Sequence, residues 1–224
     1  MGRTGRQVLR RNVVLLAALV APWPLGAILD ASVNEYYLQI LGYIGINIIL
    51  AVSLNLINGF TGQFSLGHAG FMAVGAYAGA AASTYAWPGL APAFALPLSV
   101  TAGGILAAAT GLLVGAPTLR LRGDYLAIAT LGFGEIIRVV ILNNEAVGGA
   151  RGFSVAATAG FASVYTAAVL CVATMWRLVY SPKGRAFVAI REDETAAAAM
   201  GINTTRFKIV SFVIGAFWAG VAGA

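Results

Sequence analysis

The chain has 224 residues, of which 59% are hydrophobic and only 10% charged, with a formal net charge of +6 and a mean hydropathy of +0.85. Ordinary soluble domains carry roughly 25% charged residues, so this apolar excess excludes a water-soluble globular fold. The single cysteine, Cys171, excludes an internal disulfide, and its apolar surroundings favour a packing role over a redox one.

A helix needs about 20 apolar residues to cross a hydrocarbon core of about 30 Å. In chain order the candidate runs are 13–29, which is shortish, 38–57, 64–82, 93–116, 125–142, 155–176 and 209–224; several reach that length, and together they predict an all-α, polytopic helical membrane protein of about seven spans. The first run follows Arg3, Arg6, Arg10 and Arg11 and resembles a signal peptide. Pro22 directly follows its small-residue stop at Ala21, however, so the run is read as a retained first helix.

With the N-terminus in the cytoplasm and one crossing per run, the arm 1–12, the loop 117–124 and the region 177–208 share the cytoplasmic side. Those segments hold Arg3, Arg6, Arg10, Arg11, Arg120, Arg122, Arg177, Lys183, Arg185, Arg191, Arg206 and Lys208, twelve of the 14 basic residues, and leave only Arg138 and Arg151 elsewhere. This is the positive-inside bias, and the basic balance needs no nucleic acid to explain it. No linker divides the chain, so residues 1–224 read as one transmembrane domain. The last run stops at Gly223-Ala224 without a polar flank, and the domain is expected to be C-terminally incomplete.

Gly75 and Gly79, and Gly111 and Gly115, are small-xxx-small pairs that let helices approach closely. The segment 58–70, NGFTGQFSLGHAG, is a poor continuous helix. Non-helical backbone at membrane depth survives only where protein buries it or where it lines a water-filled cavity. Asn58, Gln63, Ser65, Gly67 and His68 are therefore candidate path residues, and a plain cytoplasmic turn is the alternative. Upstream, Asn47, Asn55 and Asn58 recur at helical spacing and form an amide stripe that should face other helices or a pore. Glu135 and Arg138 share a face at i, i+3, as a structural ion pair or as a charged element of the route. His68 has no acidic or histidine neighbour at metal-ligand spacing, and no nucleophile–His–acid set or phosphate loop is present. Neither a metal, a cofactor nor catalysis is expected.

The block 177–206 is polar between two apolar runs and carries eight of the 22 formal charges. Within it, Arg191-Glu192-Asp193-Glu194 followed by Thr195, four alanines, Met200 and Gly201 spells a short helix, with carboxylates at its positive end and a glycine stop. Such a helix between two spans could dock on a cytoplasmic protein.

The motifs GFTGQFSLGHAGFMAVGAY (59–77), LRLRGDYLAIATLGFGEIIR (119–138) and GRAFVAIREDETAAAAMGINTTRFKIVSF (184–212) resemble the permeases of branched-chain amino acid ATP-binding-cassette importers, in particular the M-type member of the pair. The resemblance covers roughly residues 36–224. It implies translocation of branched-chain or related amino acids across the bacterial inner membrane by alternating access, with ATP hydrolysed elsewhere. The implied partners are a second permease subunit, two cytoplasmic ATP-binding subunits, a periplasmic amino-acid-binding protein and membrane lipid. The family's coupling segment falls on Glu194, Ala196, Ala197 and Gly201, with Arg191 and Glu192 flanking it. Alternatives are a permease for urea or short amides, an ion-coupled transporter relying on Glu135, or a truncated product that transports nothing.

Overall fold

The computed structural model describes residues 13–224 apart from 88, 120, 122, 154 and 156–158. Among the described residues all regular structure is helical. The first helix, α1 (Val13–Ser32), carries a turn at Ala21, where Pro22 and Pro24 cannot donate to the preceding turn. Next come α2 (Glu35–Asn55), drawn out by a π-turn (Leu56–Phe60), and α3 (His68–Ala81), drawn out by another (Ala82–Ala86). Then follow α4 (Pro92–Thr118), α5 (Asp124–Leu142), α6 (Phe161–Val179), the short α7 (Gly184–Glu192) and α8 (Glu194–Ala199), and finally α9 (Thr204–Gly223).

Among the described residues, six helices are long and apolar enough to cross a membrane: α1, α2 with its π-turn, α4, α5, α6 and α9. The remaining expected span, 64–82, is not one helix. Residues 61–67 are non-helical, and α3 starts only at His68. Two other boundaries shift for local reasons. α9 begins at Thr204, five residues before the apolar run, because the Asn203 side chain accepts from Arg206 N at 3.0 Å. α6 begins at Phe161, after Gly160, rather than at 155.

The helices alternate in direction. One end gathers the start of α1, the end of α2, the α4–α5 turn, the end of α6 and the whole segment 180–203. Gly115 near the end of α4 packs against Phe212 in the first half of α9, and Val14 shares a groove with Trp176 and Arg177 at the end of α6. At the opposite end, Gly26 packs on Ala162, and the Tyr85 and Phe153 rings lie 6.0 Å apart. Arg177, Lys183, Arg185, Arg191, Arg206 and Lys208 all belong to the first end. Arg3, Arg6, Arg10, Arg11, Arg120 and Arg122 lie outside the described residues.

The centre is a trio of α3, α4 and α9 in mutual contact. Glycines set its spacing, since a Cβ on Gly103 would come within 2.6 Å of Gly75 O, and one on Gly111 within 2.6 Å of Ala216 Cβ. Gly75 of α3 meets Gly220 of α9 backbone to backbone. Phe71 and Phe212 close this core edge to face at 5.3 Å. Cys171 is fully buried as a free thiol in the second cluster, with Ile49, Met175 and Phe187.

Candidate functional site

The π-turn after α2 leaves carbonyls that the following chain must satisfy. Thr61 does so twice, its N and Oγ1 donating to Leu56 O at 3.2 and 2.8 Å, and Gln63 N donates to Ile57 O at 3.0 Å. Gly62 reverses the chain at φ +69°, a left-handed conformation that favours glycine. Residues 61–67 then form a strap of alternating exposure. Thr61, Gln63, Ser65 and Gly67 are buried, while Gly62, Phe64 and Leu66 are exposed. Polar side chains point in and apolar ones out, the reverse of a soluble surface.

At the far end of the strap His68 Nε2 lies 2.9 Å from Ser53 Oγ. Ser53 precedes Phe60 by seven residues, a rise of about 10 Å along a helix. The strap therefore re-enters the bundle by about that depth, and the segment is more than a surface turn. Two of its amides find side-chain acceptors, Ser65 N on Asn58 Oδ1 at 3.3 Å and Leu66 N on Thr130 Oγ1 of α5 at 3.1 Å. Gly67 is obligatory, because a Cβ there would sit 2.6 Å from Thr130 O. Behind the strap, Gln63 Nε2 donates to Ser211 Oγ at 3.2 Å and more weakly to Lys208 O at 3.4 Å. Gln63 Oε1, Ser65 Oγ and His68 Nδ1 are buried with no protein partner. Each such group carries a desolvation cost of about 1–3 kcal/mol, so the inner side of the strap holds three polar atoms left unpaired by this chain.

Five expected path residues thus come together here: Asn58, Gln63, Ser65, Gly67 and His68. Three do not. Asn47 and Asn55 lie on the exposed side of α2, away from its buried Gly45, Ile49 and Ser53, and Asn47 Nδ2 donates within its own helix to Tyr43 O at 2.8 Å. Of the amide stripe, therefore, only Asn58 joins the strap. Glu135 pairs with Arg138 at 3.2 Å on an exposed face of α5, their side chains 59% and 69% exposed.

The polar block folds as a helical hairpin, 184–199, rather than as one short helix starting at Arg191. Arg191 and Glu192 end α7. Asp193 breaks the helix because its carboxylate accepts from Thr195 N (2.8 Å) and Ala196 N (3.0 Å), capping α8 instead of continuing α7. The glycine stop is as expected: Gly201 sits at φ +83°, with Gly201 N bonded to Ala198 O (3.0 Å) and Ile202 N to Ala197 O (3.1 Å). One face of α7 (Gly184, Ala186, Phe187, Ile190) is buried, Phe187 meeting Phe207 edge to face at 5.7 Å. On α8 only Ala197 is buried; Ala196, Ala198 and Ala199 are exposed, followed by Met200 at 84% exposure.

Two contacts clamp the hairpin to the strap and to α9. Arg191 Nη1 donates to Gly59 O at 3.2 Å, and the aliphatic stem of Arg191 lies on Gly62, where a Cβ would approach Cγ to 2.9 Å. Glu194 Oε2 pairs with Lys208 Nζ at 2.7 Å, the two side chains 27% and 10% exposed. Glu194 therefore faces inward. Lys208 and Ser53 escaped the sequence reading of the site; a cation bordering an apolar run, with Phe207 and Ile209 on either side, was the available signal for the first.

A family model described as branched-chain amino acid transport system, permease component, matches residues 36–224. The chain is 37% identical to the high-affinity branched-chain amino acid transport system permease protein LivM of Escherichia coli, over 94% of this chain and 55% of that protein. It is likewise 37% identical to the protein of the same name from Salmonella typhimurium, over 96% of this chain and 56% of that one. The chain thus spans about half the length of the curated relatives it matches. No solved structure matches it.

Proposed function

The chain belongs to the branched-chain amino acid transport permease component family, and from that premise we propose that it supplies spans and a coupling hairpin to an ATP-driven importer of branched-chain or related amino acids. Residues 1–224 act as one transmembrane domain in the bacterial inner membrane, with the basic end in the cytoplasm. A second permease subunit completes the path, and a periplasmic binding protein delivers solute at the opposite end. Two cytoplasmic subunits hydrolyse ATP; as they close, they push the hairpin 184–199, and the spans alternate between outward and inward openings.

The observation that carries this reading is the exposed apolar rim of the hairpin, Ala196, Ala198, Ala199 and Met200, outside the spans and beside the basic residues. A cleft of a cytoplasmic protein is the cover this reading assigns to that face. Orientation is checked by cysteine labelling in a Cys171→Ala background. A cysteine at Arg185 should react only from the cytoplasm and one at Asn34 only from outside; the reverse pattern would overturn the topology.

Gly201→Asp tests the docking. Open space surrounds Gly201, so the added carboxylate reaches only the partner's side. Insertion should be normal, while retention of the ATP-hydrolysing subunit on purification falls about tenfold, equivalent to ~1.4 kcal/mol. Gly89→Asp likewise places a carboxylate at a positive φ, +87°, in open space on the far side of the bundle and should leave retention unchanged. Equal retention in both variants would refute the docking role.

A further inference from the structure

The hairpin and the strap are separate in sequence, but the structure ties them through Arg191 of the hairpin and through Lys208 of α9. Lys208 stands in the early turns of α9, its ammonium 2.7 Å from Glu194 at the start of α8. Its main-chain carbonyl accepts from Gln63 of the strap at 3.4 Å and from Ser211 Oγ at 2.9 Å, while Ser211 in turn accepts from Gln63 at 3.2 Å. We propose that Lys208 is a positioning residue that transmits hairpin movement to the strap, with the Arg191 contact on Gly59 and Gly62 as a second link.

Three features support this role over ordinary surface pairing. First, the ammonium is nearly enclosed, and an enclosed charge holds its partner far more firmly than a solvated one. A displaced α8 must therefore either carry Lys208 with it or leave that charge unpaired. Second, the strap end of the link is soft. Residues 61–67 have no helical ladder of their own and are held by scattered bonds to Leu56, Ile57, Asn58 and Thr130. A small pull at Gln63 can thus move the segment without unwinding a helix. Third, of the four buried side-chain atoms without a protein partner among the described residues, three, Gln63 Oε1, Ser65 Oγ and His68 Nδ1, belong to the strap or to the residue that ends it, and only Ser99 Oγ lies elsewhere. Movement passed along this route arrives where the chain is best equipped to bond a polar solute.

The inference rests on the ATP-driven importer reading, and its test separates the two. In a Cys171→Ala background, Phe64→Cys places a thiol on the exposed side of the strap. The complete importer, purified with its ATP-hydrolysing subunits into lipid nanodiscs, is labelled with a fluorescent maleimide with and without a non-hydrolysable ATP analogue. The labelling rate should change several-fold on nucleotide binding. The change should fall at least twofold when Glu194→Gln and Lys208→Gln are introduced together, a pair that keeps shape, removes both charges and leaves the Arg191 link in place. Should that pair fail to assemble, Gln63→Met keeps the ion pair and severs the strap end of the link, and it should lower the response at least twofold as well. A response of wild-type size in either variant, with nucleotide still bound, would overturn the relay while leaving the importer reading intact. An unmutated complex that retains no ATP-hydrolysing subunit would instead overturn the importer reading itself.

Discussion

Gly75→Leu should abolish accumulation of folded chain in the membrane. Position 75 has no room for any side chain, because a Cβ would overlap the main-chain oxygen and Cα of Gly220. Extra methylenes in a packed core already cost about 1–3 kcal/mol where neighbouring side chains can adjust. Here the obstacle is the backbone of α9, which has no rotamer to change. α9 would have to leave α3, and Gly103, whose own Cβ would approach Gly75 O to 2.6 Å, ties α4 into the same contact. Fluorescence-detected size exclusion of a tagged chain, with protease resistance alongside, reads the outcome. Gly132→Leu is the control, since a Cβ on Gly132 meets nothing within 4 Å and leucine is the better helix former. A monodisperse peak for Gly75→Leu, or an equal collapse of Gly132→Leu, would contradict the packing scheme.

Ser65→Ala should have the opposite profile, with stability intact and transport lost. The hydroxyl of Ser65 is buried without a protein partner, so deleting it removes a desolvation cost of about 1–3 kcal/mol and sacrifices no protein bond. The amide of Ser65, which holds the strap to Asn58 at 3.3 Å, is untouched. If the inner face of the strap contacts the solute, uptake of labelled leucine by the reconstituted importer should fall about tenfold, ~1.4 kcal/mol in the barrier. Ser99→Ala removes another buried hydroxyl without a protein partner, on α4 and away from the strap. It should leave uptake alone. Wild-type uptake in Ser65→Ala, or an equal loss in Ser99→Ala, would remove the strap from the path.

The sequence alone determined the fold class, the positions of most spans and the family. Those are local or composition-driven properties: an apolar run of about 20 residues must become a helix in lipid, because no water is there to satisfy its backbone. The glycine stop at Gly201 was legible for the same reason, since a left-handed residue is a local demand that glycine meets most easily. The small-xxx-small pairs announced close packing but not its partners. That Gly75 meets Gly220, and Gly111 meets Ala216, depends on how α3, α4 and α9 are arranged. The tertiary structure also decided which polar residues assemble. Asn47 and Asn58 share a spacing, yet only Asn58 joins the strap, because the buried face of α2 runs through Gly45, Ile49 and Ser53. Glu194, expected as a docking residue, turns inward to Lys208, fourteen positions along the chain. An ion pair between separate helices has no periodicity to announce it. It forms only when the hairpin folds back onto α9 and shields both charges from water, and that proximity belongs to the packed molecule rather than to any stretch of its sequence.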